Sequence, residues 1–162
     1  MYSGKLREAV LSAKWSWSAT LLEGLASLLV SQERSALSEF APELIVPIPQ
    51  SVSARFTHRF NAACLIAGVI SARMNVPMDE HVLCRRRNTR PQKRAAVDQR
   101  FDNQKDTFRL RDQHLVIGRR ILIVDDVLTT GATCSEAAKM LRAAGSDRCG
   151  AAVIARVLDH SA

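Results

Sequence analysis

Apolar residues recur along the chain at two spacings, which predict helices alternating with short strands. Helical spacing covers residues 3–14, about 18–34, 61–74 and 133–144, and Asn61 is a suitable cap for the third of these helices. Apolar runs at 44–49, 80–84, 107–110, 121–124 and 148–158 predict strands, the last of them buried. This order predicts an α/β fold whose central sheet has about four or five mostly parallel strands flanked by helices.

The most informative stretch is an apolar strand that runs directly into two acids. Residues 121–124 are all branched and apolar, as expected of a strand buried on both faces. Asp125 and Asp126 follow, and Thr133 and Glu136 then have the spacing of a capping box at the start of a helix. A strand, a loop and a helix in this order place the loop at the carboxyl end of a parallel strand, where open α/β sheets bind ligands.

The residue types at this position favour a phosphorylated sugar as the ligand. Backbone N–H groups at a helix N-terminus suit a phosphate, and Gly131 allows the backbone to approach it closely. Asp125 and Asp126 could accept hydrogen bonds from sugar hydroxyls or hold a hydrated Mg²⁺ ion.

Two other classes of protein carry a strand that ends in two acids. A bacterial receiver domain would need most of its sheet after the acids, whereas only residues 127–162 follow here. A Walker B strand requires a Gly-x-x-x-x-Gly-Lys-Ser/Thr loop, and the sequence contains none. Neither class explains the threonines and glycine after the acids.

The positive charge of the chain is concentrated in one segment. The net charge is +7 over 162 residues, and residues 85–100 alone hold seven basic residues against one acid. A local excess of this kind indicates an anionic ligand at one place. Residues 85–106 lie between two predicted strands, and a polar segment of that length favours a flexible lid over a solvated linker.

The remaining composition predicts one cytoplasmic domain. At 47% hydrophobic residues, residues 1–162 can bury one core, with a helical part over 1–40 and an α/β part over 41–162. The four cysteines form no Cys-x-x-Cys pair, which favours a reducing cytosol. No signal peptide or membrane span is predicted.

The stretch from 121 to 133 closely resembles the phosphoribosyl-pyrophosphate (PRPP) motif of type I phosphoribosyltransferases. A second resemblance, to the late-competence ComF family, covers nearly the whole chain. It rests on Thr89-Arg-Pro91-Gln92, on Arg100, Asn103 and Phe108, on Val46-Pro-Ile-Pro49, on Phe60-Asn61 and on residues 2–14. The chain departs from that family at two places. It has His58-Arg59 before Phe60, and its sequence contains no Cys-x-x-Cys pair, so we expect it to lack the N-terminal zinc ribbon that the family often has.

These resemblances imply a reaction and a set of site residues. The reaction is transfer of ribosyl 5-phosphate from Mg²⁺-PRPP to a nitrogenous, nucleobase-like acceptor, with release of pyrophosphate. The acids Asp125 and Asp126 would hold the ribose and, through PRPP or water, the Mg²⁺. The 5′-phosphate would meet Thr129, Thr130, Gly131, Ala132 and Thr133. The pyrophosphate would meet Arg55 together with the candidate catalytic residues Arg59, Arg87 and Lys93.

A binding protein is the alternative that the sequence leaves open. The PRPP site could act as a sensor, or the basic segment could hold single-stranded DNA or a competence protein during DNA uptake. Single-strand binders usually pair basic grooves with aromatic residues, and residues 85–100 contain none. His58 is equally well explained as a solvated loop residue or as a catalyst, no general base is evident, and a homodimer is one alternative for the oligomeric state.

Overall fold

The computed structural model describes residues 19–50, 60–86 and 108–156. In chain order these form helices α1 (Ala19–Gln32) and α2 (Arg34–Phe40), strand β1 (Leu44–Pro47) and helix α3 (Ala62–Met74). Strands β2 (Leu83–Arg85) and β3 (Phe108–Leu110) and a 3₁₀ turn (Gln113–Leu115) follow. Strand β4 (Arg120–Leu128), helix α4 (Ala132–Ala143) and strand β5 (Arg148–Arg156) complete the described part.

The central sheet is parallel, as predicted, and β4 is its middle strand. Its order is β1-β4-β5, with Leu44 opposite Ile121 and Ile121 opposite Cys149. On the other side of β1, Ile45 forms an isolated parallel bridge with Met78. The carboxyl ends of β1 and β4 therefore lie next to each other.

The predicted count of four or five strands in one sheet is wrong for the described residues. Three strands form the parallel sheet, and β2 and β3 pair antiparallel in a separate two-stranded sheet. The reason is the placement of their apolar residues: Leu83 and Phe108 are buried in the cluster on one face of the parallel sheet, so the pair covers that face.

Two apolar clusters fill the two faces of the sheet. One contains Ile121 and Ile123 with side chains of α4, β2 and β3, and the other contains Leu122 and Val124 with side chains of α1, α2 and α3. Alternate residues of a strand point to opposite faces, so this division confirms that the run is buried on both sides. The fold is a three-layer α/β arrangement.

Two elements differ from the expectations drawn from the sequence. Helix α2 was not predicted, because the polar residues 31–35 interrupt the apolar stripe. Strand β5 was predicted to be buried, but among its residues only Ala152 is, because no described strand pairs with its outer edge. The predicted helix over 3–14 lies outside the described residues.

No helix in the described ranges is long and apolar enough to cross a membrane.

The close approach of α2 to β5 generates a prediction about stability. A Cβ atom added to Gly150 would lie 3.1 Å from Cζ of the Phe40 ring. We expect Gly150→Val to lower the free energy of unfolding by about 1–3 kcal/mol, because the ring must move within a packed layer. Urea unfolding measures this change.

The neighbouring Ala151 is exposed and provides the matched control. Ala151→Val also places a valine in the same strand, but at an exposed position, and should change the free energy of unfolding by less than about 0.5 kcal/mol. Equal effects of the two substitutions would contradict the packing of Phe40 on Gly150.

Candidate functional site

The candidate site lies where β4 ends and α4 begins. Asp125 and Asp126 still belong to β4 and are half-buried, whereas Thr129 and Thr130 beyond them are exposed. Asp125 is opposite Val153 of β5. The buried residues before the acids fix the position of the two carboxylates at the carboxyl edge of the sheet.

Helix α4 begins earlier than the capping-box spacing predicted. Its N-cap is Gly131, with φ of 76°, and Thr133 is already inside the helix. The prediction of a Thr133–Glu136 capping box is therefore wrong, because the left-handed glycine turns the chain into the helix and its carbonyl accepts from Ser135 N at 2.9 Å. The hydroxyl Oγ1 of Thr130 accepts from Ala132 N at 3.3 Å.

The loop that was predicted to wrap a phosphate is thus a short turn followed by the first turn of a helix. Thr129, Thr130 and Gly131 form the turn, and Ala132 and Thr133 are the first two residues of α4. The first N–H groups of a helix have no intrahelical acceptor, and the helix dipole favours an anion there. These five predicted residues are brought together beside the acid pair.

The two acids are bound to their own backbone. The N–H of Asp126 donates to Oδ1 of Asp125 at 2.9 Å, and the N–H of Val127 donates to Oδ1 of Asp126 at 2.8 Å. Each carboxylate keeps a second oxygen that these bonds do not use. The pair can therefore accept further hydrogen bonds while its orientation is held by the strand.

Burial makes Asp125 an unusual carboxyl group. Desolvation, and next the adjacent charge of Asp126, raise the pKa of Asp125 to about 7, against the weaker opposing effect of Arg85. Burial and then the charge of Asp125 also raise the pKa of the Cys134 thiol to about 11. Cys134 therefore stays protonated at neutral pH, and a thiolate nucleophile is not available from it.

Arg85 is a site residue that the sequence reasoning missed. Its Nε donates to the carbonyl oxygen of Pro49 at 2.8 Å, and its guanidinium carbon lies 5.2 Å from the centre of the Phe108 ring. Burial lowers its pKa, and the charge of Asp125 opposes this effect. One signal could have identified it, since Arg85 directly follows the strand predicted at 80–84.

The other predicted basic residues lie outside the part of the chain that the structure describes. Arg55 and Arg59, and Arg87 and Lys93, lie outside the described residues, as does the proposed lid except for its first two arginines. Their contact with a pyrophosphate stays a prediction.

The donor set fits a magnesium ion only when substrate or water supplies most of its ligands. No group of three His, Cys, Asp or Glu side chains that could hold a metal occurs within the three described ranges. Mg²⁺ is commonly bound through one or two carboxylates together with waters and substrate phosphates. Asp125 and Asp126 satisfy that requirement.

Comparison with known proteins identifies relatives of the same kind. Residues 61–161 match the family described as "Phosphoribosyl transferase domain". The chain is 29% identical over 130 residues to Competence protein F of Haemophilus influenzae, covering 80% of the chain and 57% of that protein. It is 30% identical over 143 residues to DNA utilization protein YhgH of Escherichia coli, covering 86% of the chain and 62% of that protein. The chain therefore spans about three fifths of the length of these relatives.

Solved structures support the same fold. The glutamine PRPP amidotransferase of B. subtilis has a TM-score of 0.57 at 16% identity, covering 82% of this chain and 26% of that one. An adenine phosphoribosyltransferase of Thermoanaerobacter pseudethanolicus has a TM-score of 0.53 at 17% identity, covering 80% and 67%. These findings confirm the resemblance to the ComF family and the type I fold. Because the family match extends over more than half of its length, the chain belongs to the phosphoribosyltransferase domain family.

Proposed function

We propose that the chain binds Mg²⁺-PRPP at the carboxyl end of β4 and transfers its ribosyl 5-phosphate to a nitrogenous acceptor, releasing pyrophosphate. One observation carries this proposal above the others. A half-buried acid pair near the end of the middle strand is followed, after four intervening residues, by a left-handed glycine and a helix N-terminus. Hydroxyl acceptors and phosphate donors are thereby adjacent, as a ribose 5-phosphate requires.

Each part of the site has a role in this proposal. Asp125 and Asp126 accept hydrogen bonds from the ribose hydroxyls through the oxygens that their backbone bonds leave unused. The N–H groups at the start of α4 and the hydroxyls of residues 129, 130 and 133 bind the 5′-phosphate. By resemblance, Arg55, Arg59, Arg87 and Lys93 meet the pyrophosphate.

The reaction needs electrostatic stabilisation more than proton transfer. The bond from ribose C1 to the pyrophosphate oxygen breaks, the ribosyl group gains positive charge and pyrophosphate leaves. The acceptor nitrogen forms the new bond to C1, and its proton is released to solvent. Carboxylates at the ribose and cations at the pyrophosphate would stabilise these two developing charges. Mg²⁺, held indirectly by Asp125 and Asp126, would neutralise charge on the pyrophosphate.

A function in DNA uptake or use is the second candidate, and the names of the relatives support it. DNA utilization protein YhgH is named for the use of DNA, and Competence protein F is named for competence. Binding of single-stranded DNA through basic residues would weaken steeply with salt, because phosphate contacts release counterions. Measuring the affinity for an oligonucleotide at two salt concentrations, with and without PRPP, separates this function from the first.

Calorimetric titration with PRPP in the presence of Mg²⁺ tests the proposed ligand. We expect one site per chain, and a pyrophosphate-release assay across candidate bases then identifies the acceptor. Absence of PRPP binding by the folded wild-type protein would contradict the proposal.

The acid pair should be essential for affinity. Asp125→Asn combined with Asp126→Asn removes two charge-assisted contacts and should cost about 2–5 kcal/mol of PRPP binding free energy. Titration calorimetry measures the loss. The control pair is Asp112→Asn with Asp147→Asn, which neutralises two exposed acids outside the site. PRPP affinity equal in both double variants would refute the assignment.

Asp125 should also make stability depend on pH. Its folded pKa of about 7 exceeds the ordinary value of 3.8, so the folded state holds a proton that the unfolded state releases. The stabilising contribution of this proton to the free energy of unfolding is complete below pH 4 and is lost as pH rises to about 7. Asp125→Asn lacks this pH dependence. We therefore expect its free energy of unfolding, measured by urea unfolding, to rise by about 1–3 kcal/mol relative to that of wild type between pH 4.5 and pH 8. A constant difference across that range would show that the carboxyl group is not buried as described.

Gly131 provides a test of the phosphate turn. An added Cβ would approach only Cδ1 of Leu128, at 3.8 Å, so the cost to folding comes from φ of 76° rather than from crowding. Gly118 has φ of 69° and no atom within 4 Å of its added Cβ, which makes it a matched control. Gly131→Val and Gly118→Val should destabilise the fold similarly, but only Gly131→Val should abolish PRPP binding. Calorimetry that finds both variants equally able to bind would contradict the position of the phosphate.

A further inference from the structure

Two side chains donate to backbone carbonyls where β1 ends, next to the acid pair. The amide Nδ2 of Asn61 donates to the carbonyl oxygen of Ile48 at 3.2 Å, and Nε of Arg85 donates to that of Pro49 at 2.8 Å. Both carbonyls follow the last residue of β1. The end of this strand is therefore held by the side chains of the N-cap residue of α3 and of an arginine in β2.

Asn61 makes more contacts than a helix cap requires. Its Oδ1 accepts from Ala63 N at 3.2 Å, which is the capping bond of α3. A cap needs only this acceptor, and serine or aspartate supplies it equally well. The Nδ2 group of the amide, which donates to the Ile48 carbonyl and, at 3.1 Å, to the Sγ of Cys64, is not needed for the cap.

Ile48 connects Asn61 to the strand that carries the acids. The N–H of Ile48 donates to the carbonyl oxygen of Val124 at 2.8 Å, and Val124 immediately precedes Asp125. One continuous set of hydrogen bonds thus joins the first turn of α3, the end of β1 and the strand that carries the acids. A displacement at Asn61 would move the start of α3 relative to Asp125.

The shape of the proposed substrate, PRPP, indicates which part of it would lie near Asn61. In PRPP the 5′-phosphate and the diphosphate leave the ribose on different sides. If the 5′-phosphate lies at the N-terminus of α4 and the ribose lies on the acids, the diphosphate extends along the carboxyl edge of the sheet. The neighbouring strand on one side is β5, and on the other side is β1, beside the half-buried cation Arg85.

We propose that Asn61 is a positioning residue that aligns the start of α3 and the end of β1 with the acid pair, so that the diphosphate end of the substrate is bound. This inference rests on the proposed function. Arg85 supports the same alignment from β2: its Nε donates to the carbonyl oxygen of Pro49, and its guanidinium lies over the ring of Phe108.

The substitution that separates positioning from capping is Asn61→Ser. Serine keeps an acceptor for the cap and adds no charge, but its side chain is too short to reach Ile48 as well. We expect PRPP affinity to fall about ten-fold, the effect of one lost hydrogen bond in a partly buried network, with the thermal midpoint close to that of wild type. Affinity for ribose 5-phosphate, which lacks the diphosphate, should change less than about two-fold.

Asn75→Gly is the matched control, because it removes an asparagine amide at the other end of α3. Asn75 has φ of 54° at the C-cap, a conformation that glycine adopts without strain. This variant should bind both ligands as wild type does. All three proteins are titrated in the presence of Mg²⁺ with PRPP and, separately, with ribose 5-phosphate.

Three results would overturn the inference, and they are distinguishable. Wild-type PRPP affinity in Asn61→Ser would show that the donor half of the amide is dispensable. An equal loss of both ligands together with a lower thermal midpoint would show a merely structural role. Failure of the wild-type protein to bind PRPP would overturn the proposed function, and this inference with it.

Discussion

Burial of β4 on both faces is the constraint on which the rest of the structure depends. Ile121 and Ile123 pack into one apolar cluster, and Leu122 and Val124 pack into the other. A shift of one residue would exchange the two sets between clusters of different shape, so the register of β4 is strongly specified. Because the acids follow immediately, the same packing energy that forms the core also fixes the carboxylates at the edge of the sheet.

The price of this arrangement is electrostatic. Asp125 is taken partly out of water beside another acid, and its pKa rises to about 7 as a result. Such a group gains from a ligand that brings hydroxyl donors or a cation, because either replaces the lost hydration. A carboxyl group with a strongly raised pKa is common at functional sites.

The sequence was sufficient for the parts of the fold that depend on local pattern. The apolar run before Asp125, the cap at Asn61 and the parallel sheet all follow from periodicity and residue type, and the structure confirms them. The family resemblance rested on the same stretches.

Features that depend on distant partners could not be predicted in this way. Periodicity identifies a strand but not its neighbour, so the separate pairing of β2 with β3 was missed. Arg85 bonds Pro49 from 36 positions away, and sequence spacing carries no information about such a contact. The start of α4 was predicted too late in the chain. Gly131, in a left-handed conformation, is the N-cap, so Thr133 lies inside the helix and cannot cap it.

The most direct test of the account is to follow the backbone amide signals of isotopically labelled protein by NMR during addition of PRPP and Mg²⁺. We expect the amide signals of residues 125–133 to shift first and most, and those at the end of β1 and the start of α3 to shift in parallel. The exposed residues of β5 beside α2 should stay unchanged. Shifts confined to β5 and α2, or none at saturating PRPP, would contradict the assignment of the carboxyl end of β4 as the binding site.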